Sequence, residues 1–211
     1  MIKNKEKLFG TIERSYNKKK DVYFVHIPKC AGRTVKKHFW CKTEDLDLRT
    51  SHIPACFIND MEKYKNTKNF CFVRDPYTRL ASNYFWQKMP RRNNITLRKF
   101  KDFKSFVYKL PDLSFSYNPF IVRDTTYHFS LQKDWINEKT FFIGKKESLL
   151  EDINKICDIL DLNSFKINEL KNEFKTGTSF GDYMSLYDRR MIDIVNEIYK
   201  EDFLKFDYKM R

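Results

Sequence analysis

The stretch VYFVHIPKCAGRT, residues 22–34, decides which fold class the sequence favours. It opens with a continuous apolar run of strand length, residues 22–27, and continues through a turn at residues 28–32. Residues 34–40 can then start a helix. The order strand, tight loop and helix begins a parallel α/β unit, in which helices connect successive strands.

The same order recurs twice further along the chain. Residues 69–74 form a second buried-strand candidate. Asp75 follows as an N-cap residue, with Pro76 at the first position of a helix that runs to about Gln87. A third apolar run covers residues 140–143.

Helical patterns account for much of the remaining sequence. Residues 149–160 keep a helical apolar period, and a last helix is expected to begin near Asp188. Residues 88–139 are less regular, with helices expected near 99–110 and 130–138. Three strand-like runs separated by helices predict a small three-layer α/β domain with a central, mainly parallel sheet.

Composition sets further bounds. The 211 residues include 41 Lys+Arg against 28 Asp+Glu, a net charge of +13, and suit one domain over 21–211 after a polar, basic lead-in at 1–20. The charge either attracts anions such as nucleotides, acidic glycans, nucleic acid or lipid headgroups, or only keeps the protein soluble.

The sequence has no apolar run near the ~20 residues that cross a bilayer and no signal-peptide core, so we expect a soluble protein, cytoplasmic or otherwise, without a membrane span. Its five cysteines lack CxxC or metal-ligand spacing, which predicts a reducing compartment and no metal site.

The turn at residues 28–34 is the strongest candidate for a ligand site. Its small residues let the backbone approach a ligand closely, and the N–H groups that start the next helix point toward an anion. Lys29 adds a mobile positive charge and Thr34 a hydroxyl. The Walker A pattern GxxxxGK[ST] is absent, and the alternative is an ordinary strand-to-helix turn with a solvated lysine.

A second candidate lies at the end of the 69–74 run. Arg74 stands at the carboxyl end of that strand, where α/β sheets bind ligands, and its guanidinium suits a phosphate. Ser82, about two helical turns on, joins Arg74 on one phosphate if the helix packs back toward the strand end. In the alternative, Arg74 forms a structural salt bridge with Asp75, and Ser82 is a surface residue.

Four segments, in order along the chain, resemble the Golgi-type carbohydrate sulfotransferases, the sulfotransferase family 2 group. FVHIPKCAG at 24–32 resembles the 5′-phosphosulfate loop of that family, and FVRDPYTRLAS at 72–82 resembles its 3′-phosphate motif. FIGKKESL at 142–149 and the helix-forming residues 187–203 resemble two further family segments. Together the resemblance covers nearly the whole chain, from residue 22 to about residue 207.

The resemblance implies a P-loop NTPase-like domain, with its sheet flanked by helices, that moves the sulfuryl group of 3′-phosphoadenosine 5′-phosphosulfate (PAPS) to an acceptor hydroxyl without a metal. Arg74 and Ser82 would hold the 3′-phosphate, and a loop with Lys175 and Gly177 would close over the nucleotide. Lys29 would also stabilise the charge that develops on the leaving phosphate. The residues implied to surround the 5′-phosphosulfate are Lys29, Cys30, Ala31, Gly32, Arg33 and Thr34.

The loop departs from the family pattern at two positions. Arg33 stands where a Thr or Ser usually follows the glycine, and Cys30 replaces the commoner Thr. The first change removes a hydroxyl contact and adds a cation. We also recognise no transmembrane anchor before the domain.

The base that takes the acceptor proton is expected among the histidines and nearby carboxylates. SHIP at 51–54 resembles a "GHxPY"-type segment that carries the base in several family members, which makes His52 the first candidate. The alternative is a histidine whose hydrogen bonds are satisfied within a loop. His26 is expected to be mainly structural, and His128 or a carboxylate is the next candidate base.

The resemblance implies a carbohydrate as the acceptor. His128 and Gln132 belong to a stretch that resembles a family "HxxxQ" pattern, and they either line the acceptor side or simply pack. Arg91 and Arg92 either grip an acidic sugar or form a solvated face.

Two other classes of function stay open. A P-loop-type kinase acting on a nucleotide or small molecule needs a Walker A lysine and a Mg²⁺-holding acidic strand end, and the sequence contains neither. A nucleic-acid- or glycan-binding module without catalysis would use the +13 charge and the interleaved aromatic residues, but no recognised reader motif is present. We therefore expect a donor nucleotide and a glycan as partners, and no nucleic acid.

Overall fold

The computed structural model describes residues 13, 15–40, 52–89, 94–115, 126–162 and 182–211. The chain divides into two compact units, each built from two stretches of sequence. The first unit contains Met1–Val73 and Asp134–Phe174, and the second contains Arg74–Lys133 and Lys175–Arg211. The single domain expected over 21–211 stays a prediction.

Helices form much of both units. In chain order the described α-helices are α1 (Gly32–Trp40), α2 (Ala55–Asn59), α3 (Pro76–Lys88), α4 (Ile95–Arg98), α5 (Phe103–Lys109), α6 (Leu149–Ile159), α7 (Arg189–Ile198) and α8 (Lys200–Lys205). Single 3-10 turns lie at Glu62–Tyr64, Leu110–Asp112, Thr126–Phe129, Gln132–Trp135 and Tyr183–Leu186. Among these described helices, none is both long and apolar enough to cross a membrane.

The first unit is organised around a four-stranded sheet. Its strands stand in the order β1 (Tyr16–Asn17), β2 (Val22–Val25), β3 (Lys68–Val73) and β4 (Thr140–Lys145). β1 pairs antiparallel with β2, whereas β2, β3 and β4 are parallel. β2 is buried along its whole length and β3 from its second residue onward, as expected of continuous apolar runs in a parallel sheet.

The register brings the carboxyl ends of the parallel strands to one edge of the sheet. Val25 pairs with Cys71, and Val73 pairs with Lys145. The loop after β2 therefore leaves from the carboxyl edge, where parallel α/β sheets bind ligands. α6 packs against β4. A mainly parallel sheet flanked by helices confirms the predicted fold class, in keeping with a P-loop-like architecture.

β2 is shorter than the apolar run that predicted it. The run continues to Ile27, but the N–H of Ile27 donates to the carbonyl of Val25, 3.1 Å away. This bond turns the chain away from the strand direction, so the loop begins at His26.

The second unit has a core of aromatic and aliphatic side chains. The buried members include Tyr77, Leu80, Tyr84, Phe103, Phe106, Phe129, Met191, Val195, Tyr199 and Phe203. Two predicted helix starts in this unit are confirmed: Asp75 caps α3 by accepting from the N–H of Thr78, and Asp188 caps α7 by accepting from that of Met191.

Helices predicted within residues 88–139 are partly correct. The helix expected near 99–110 is present as α5, and it begins late because Asp102 and Ser105 form a capping box. The helix expected near 130–138 is wrong, since this stretch holds only one 3-10 turn. The N–H groups of Gln132 and Lys133 donate to the carboxylate of Asp202, at 2.8 and 2.9 Å.

Candidate active site

The loop between β2 and α1 contains two residues with a left-handed backbone. Lys29 has a φ of 67° and Ala31 a φ of 62°, while neither Cys30 nor Gly32 has a positive φ. Positive φ is uncommon for residues with a side chain and costs on the order of 1–2 kcal/mol per residue. A backbone that alternates between the two hands turns successive N–H groups toward one concave side, which suits an anion. The bond from the Cys30 N–H to the Ile27 carbonyl also makes residues 27–30 a β-turn with a positive φ at its third residue, so the anion-binding interpretation and the ordinary turn both stay open.

Hydrogen bonds hold the loop in this shape. The N–H of Cys30 donates to the carbonyl of Ile27 at 3.4 Å, and its thiol donates to the carbonyl of Pro28 at 3.5 Å. The N–H of Val35 donates to the carbonyl of Ala31 at 3.1 Å and closes the first turn of α1. Cys30 is buried, and both its N–H and its thiol are engaged within the loop.

The predicted donor-binding side chains of this loop differ in exposure. Lys29 and Thr34 are partly exposed, and Arg33 is exposed. Lys36, which the sequence analysis did not single out, is buried on α1. Lys36 is one of two adjacent lysines, whose side chains are ordinarily expected in solvent, so no sequence pattern indicates that it is buried.

Gly32 is needed for close packing. A Cβ atom at this position would lie 1.9 Å from the Nε2 and Cδ2 atoms of His26, far inside contact distance. At Gly144 a Cβ atom would lie 2.5 Å from the Cε1 atom of Phe72. Both glycines therefore permit a ring to approach the backbone, whereas the positive φ values in the loop belong to Lys29 and Ala31.

Two histidines meet beside this loop. The ring of His26 is 3% exposed, and its centroid lies 4.3 Å from that of His52. The Nδ1 of His52 lies 2.8 Å from the carbonyl oxygen of His26. A carbonyl only accepts hydrogen bonds, so Nδ1 carries the proton and the neutral ring has its lone pair on Nε2. Trp135 meets the His52 ring edge-on, with centroids 6.3 Å apart, and adds a second constraint on its orientation.

In the second unit, Arg74 is held from several sides. Its side chain is buried, Nε donates to Oγ1 of Thr78 at 3.0 Å, and the guanidinium carbon lies 5.2 Å from the ring centroid of Tyr183. Its backbone N–H donates to Oε1 of Gln132, and its carbonyl accepts from Nε2 of Gln132, each at 2.9 Å. Asp75 acts as the N-cap of α3, with Oδ1 2.9 Å from the N–H of Thr78.

Ser82 lies on α3 with 6% of its surface exposed. This burial excludes the interpretation of Ser82 as a surface residue. A buried hydroxyl on the helix that follows Arg74 agrees with the predicted phosphate contact, which stays a prediction.

His128 and Gln132, predicted for the acceptor side, are both buried. The His128 ring packs against the rings of Trp86 and Tyr127, with centroids 5.9 and 4.6 Å apart. Gln132 is bonded to the backbone of Arg74, a contact that no sequence pattern indicated.

A buried polar network underlies the segment that carries these two residues. Arg79 donates to the carbonyls of residues 128 and 130, at 3.0 and 2.9 Å. The hydroxyl of Tyr199 donates to the carbonyl of Phe129 at 2.7 Å. Burial raises the pKa of the Asp202 carboxyl, and Arg79 and the N–H donors at residues 132 and 133 oppose that shift. The segment is thereby fixed by buried bonds.

Other predicted site residues lie outside the described part of the chain. These are Arg91, Arg92, Lys175 and Gly177. Among the residues that are described, no three or more His, Cys, Asp or Glu side chains group as metal ligands.

Comparison with known proteins identifies the family. The sequence profile of the sulfotransferase family matches residues 15–209, which includes the loop at Lys29, the Arg74 motif and both final helices. No curated protein matches the chain significantly. The profile spans far more than half of the 211 residues. The resemblance found in four ordered motifs is thus confirmed at the level of the family, its Golgi-type carbohydrate group stays a prediction, and the chain belongs to the sulfotransferase family.

Proposed function

We propose that this sulfotransferase uses PAPS as the donor and a hydroxyl of a carbohydrate as the acceptor. The observation that carries the proposal is the loop at residues 28–32, with its alternating backbone around Lys29 in a chain of this family. Sulfuryl transfer, like phosphoryl transfer, needs mainly positioning and charge stabilisation from the protein. A concave row of N–H groups beside a lysine provides both.

The proposal assigns the 5′-phosphosulfate to the loop. Backbone N–H groups of residues 31 and 32 and the Lys29 ammonium bind its oxygens, with Arg33 and Thr34 as additional donors. As the bond between sulfur and the bridging phosphate oxygen breaks, negative charge develops on that oxygen. Lys29 stabilises this charge, which amounts to a preference for the transition state over the ground state.

The 3′-phosphate is assigned to Arg74 and Ser82. A planar guanidinium aligned by Thr78 and Tyr183 has the geometry that a phosphate prefers, and it is already ordered without ligand. Lys175 and Gly177 belong to the same proposal as a loop over the nucleotide.

His52 is the proposed base. Its Nδ1–H is engaged by the carbonyl of His26, so Nε2 takes the proton of the acceptor hydroxyl while the acceptor oxygen forms its bond to sulfur. The same division of roles occurs where an acceptor holds Nδ1–H of a catalytic histidine. The products are the sulfated acceptor and adenosine 3′,5′-bisphosphate, with the proton on His52.

A carbohydrate acceptor follows from the family 2 motifs and from the net charge of +13, which suits an acidic glycan. Arg91 and Arg92 are proposed contacts for such a glycan, and His128 stays a candidate for its side of the site, whereas the amide of Gln132 is bonded to the backbone of Arg74. Family membership favours this function over the kinase and the noncatalytic binding module.

Calorimetric titration with adenosine 3′,5′-bisphosphate tests the donor assignment, with 5′-AMP and ATP as controls. We expect micromolar binding of the bisphosphate, clearly weaker binding of 5′-AMP, and transfer from labelled PAPS to a glycan in an acceptor screen. Equal binding of the bisphosphate and 5′-AMP would contradict the 3′-phosphate assignment. Dependence on Mg²⁺ with preference for ATP would indicate the kinase, and affinity for nucleic acid that falls steeply with salt would indicate the binding module.

A further inference from the structure

Gln132 holds the main chain of Arg74 with both ends of its side-chain amide. Oε1 accepts from the N–H of Arg74 and Nε2 donates to its carbonyl, each over 2.9 Å, and Gln132 is 0% exposed. The amide thus bonds to both the N–H and the carbonyl of one residue, as a neighbouring β-strand would. Its polar atoms face Arg74, so its position is that of a support and not of a substrate contact.

These two bonds bear on where the guanidinium points. The N–H and the carbonyl of a residue belong to the two rigid peptide planes that flank its Cα. Holding both groups fixes the direction of the Cα–Cβ bond, from which the side chain of Arg74 extends. Thr78 and Tyr183 then constrain the far end of the same side chain.

Gln132 is itself firmly held. Its N–H donates to Oδ2 of Asp202 at 2.8 Å, and the neighbouring N–H of Lys133 donates to Oδ1 at 2.9 Å. Asp202 and Arg79 are buried, and Arg79 fixes the carbonyls two and four residues before Gln132. A buried carboxylate and a buried guanidinium thereby anchor the segment that presents the amide.

We propose that Gln132 is a positioning residue that sets the aim of the Arg74 guanidinium and so determines how well the protein distinguishes a 3′-phosphorylated nucleotide from a 5′-nucleotide. The proposal rests on the function proposed above, in which Arg74 binds the 3′-phosphate. Under this proposal Gln132 contributes to donor specificity and does not contact the acceptor.

The test is the ratio of two dissociation constants, for 5′-AMP and for adenosine 3′,5′-bisphosphate, in the full chain. Gln132→Met keeps the approximate volume of the side chain but removes both bonds. We expect the bisphosphate to bind about 10-fold or more weakly, the change expected when a charge-assisted hydrogen bond is lost, with 5′-AMP unchanged. Arg74→Ala should abolish the discrimination altogether.

Tyr199→Phe is the matched control. It removes an equally buried hydrogen bond to the same segment, from the Tyr199 hydroxyl to the carbonyl of Phe129 at 2.7 Å, without touching Arg74. Both variants should lower the unfolding temperature, but only Gln132→Met should change the ratio. If Gln132 had only a structural role, the ratio in Gln132→Met would stay at the wild-type value, as we expect for Tyr199→Phe.

The possible outcomes separate the two proposals. A wild type that binds both nucleotides equally contradicts the donor assignment itself. A discriminating wild type with an unchanged ratio in Gln132→Met overturns only the role of Gln132. If Gln132→Met does not fold, Gln132→Asn keeps the amide but is too short to hold both groups of Arg74. We then expect the same fall in the ratio, and an unchanged ratio in that variant overturns the proposal.

Discussion

The Nδ1 atom of His52 and the carbonyl oxygen of His26 lie 2.8 Å apart. Since His26 also packs its ring against Gly32, one residue joins the candidate base to the loop between β2 and α1. The orientation of the candidate base and the shape of the loop thus depend on the same residue, through its carbonyl and its ring respectively.

The first prediction concerns His52→Asn. The Asn amide nitrogen can replace Nδ1 as the donor to the His26 carbonyl, but the side chain has no group that accepts the acceptor proton. We expect turnover to fall by roughly 10²–10⁴-fold, the usual contribution of a general base, with binding of adenosine 3′,5′-bisphosphate unchanged. Steady-state kinetics and calorimetry measure the two effects. Near-normal turnover would move the base to His128 or to a carboxylate.

A second prediction compares two glycines. In Gly32→Ala the new Cβ overlaps the His26 ring, and in Gly144→Ala it overlaps the Phe72 ring. Both should lose about 1–3 kcal/mol of unfolding free energy through overpacking. Only Gly32→Ala should also reduce turnover and donor binding, because it displaces His26 and with it the loop and His52. If Gly144→Ala reduced donor binding as much, general loss of stability would explain both variants.

The third prediction separates the charge of Lys29 from its backbone strain. Glycine adopts positive φ freely, so Lys29→Gly relieves the strain at a φ of 67° and should stabilise the fold by up to about 1 kcal/mol. Turnover should nevertheless fall by at least about 100-fold because the cation is lost. Ala31→Gly, at a φ of 62°, should give a similar stabilisation and keep turnover. A Lys29→Gly variant that is both stable and active would exclude Lys29 from catalysis.

Much of the architecture could be predicted from local patterns. The runs at 22–27 and 69–74 predicted two parallel strands because strands buried on both faces need continuous apolar residues, and the run at 140–143 predicted the third although Phe141 and Ile143 are exposed. Asp75 and Asp188 predicted helix starts because capping depends on residues close in sequence. The loop at Lys29 was found because a strand, small residues and a helix stand in immediate succession.

Contacts between distant residues were not predictable in the same way. The N–H groups of residues 132 and 133 donate to the carboxylate of Asp202, about 70 positions away, in the stretch where a helix near 130–138 was expected. The two hydrogen bonds between the Gln132 amide and the Arg74 backbone join residues 58 positions apart. None of these bonds leaves a periodicity or a motif in the sequence. The left-handed backbone at Lys29 and Ala31 was equally hidden, since such φ values are expected at glycine.

The last prediction concerns Asp152, which joins the end of β4 to α6. Its Oδ2 accepts from the N–H of Lys145 and from the hydroxyl of Ser148, each at 2.7 Å. Burial raises the pKa of this carboxyl, but these hydrogen bonds and one from Lys155 outweigh burial, so the folded-state pKa lies below the ordinary value of 3.8.

A carboxyl with a lowered folded-state pKa stabilises the fold fully above its unfolded pKa, and the contribution is lost as pH falls through the folded value. Asp152→Asn should therefore cost about 1–3 kcal/mol at neutral pH, and the difference from wild type should shrink as pH falls through 3.8 toward the lower folded-state pKa. Asp158→Asn, an exposed change on the same helix, is the control and should alter stability little. Urea unfolding of the three proteins from pH 7 to pH 3 measures the difference. If the wild-type advantage had already disappeared at pH 5, Asp152 would not hold β4 to α6 as a carboxylate.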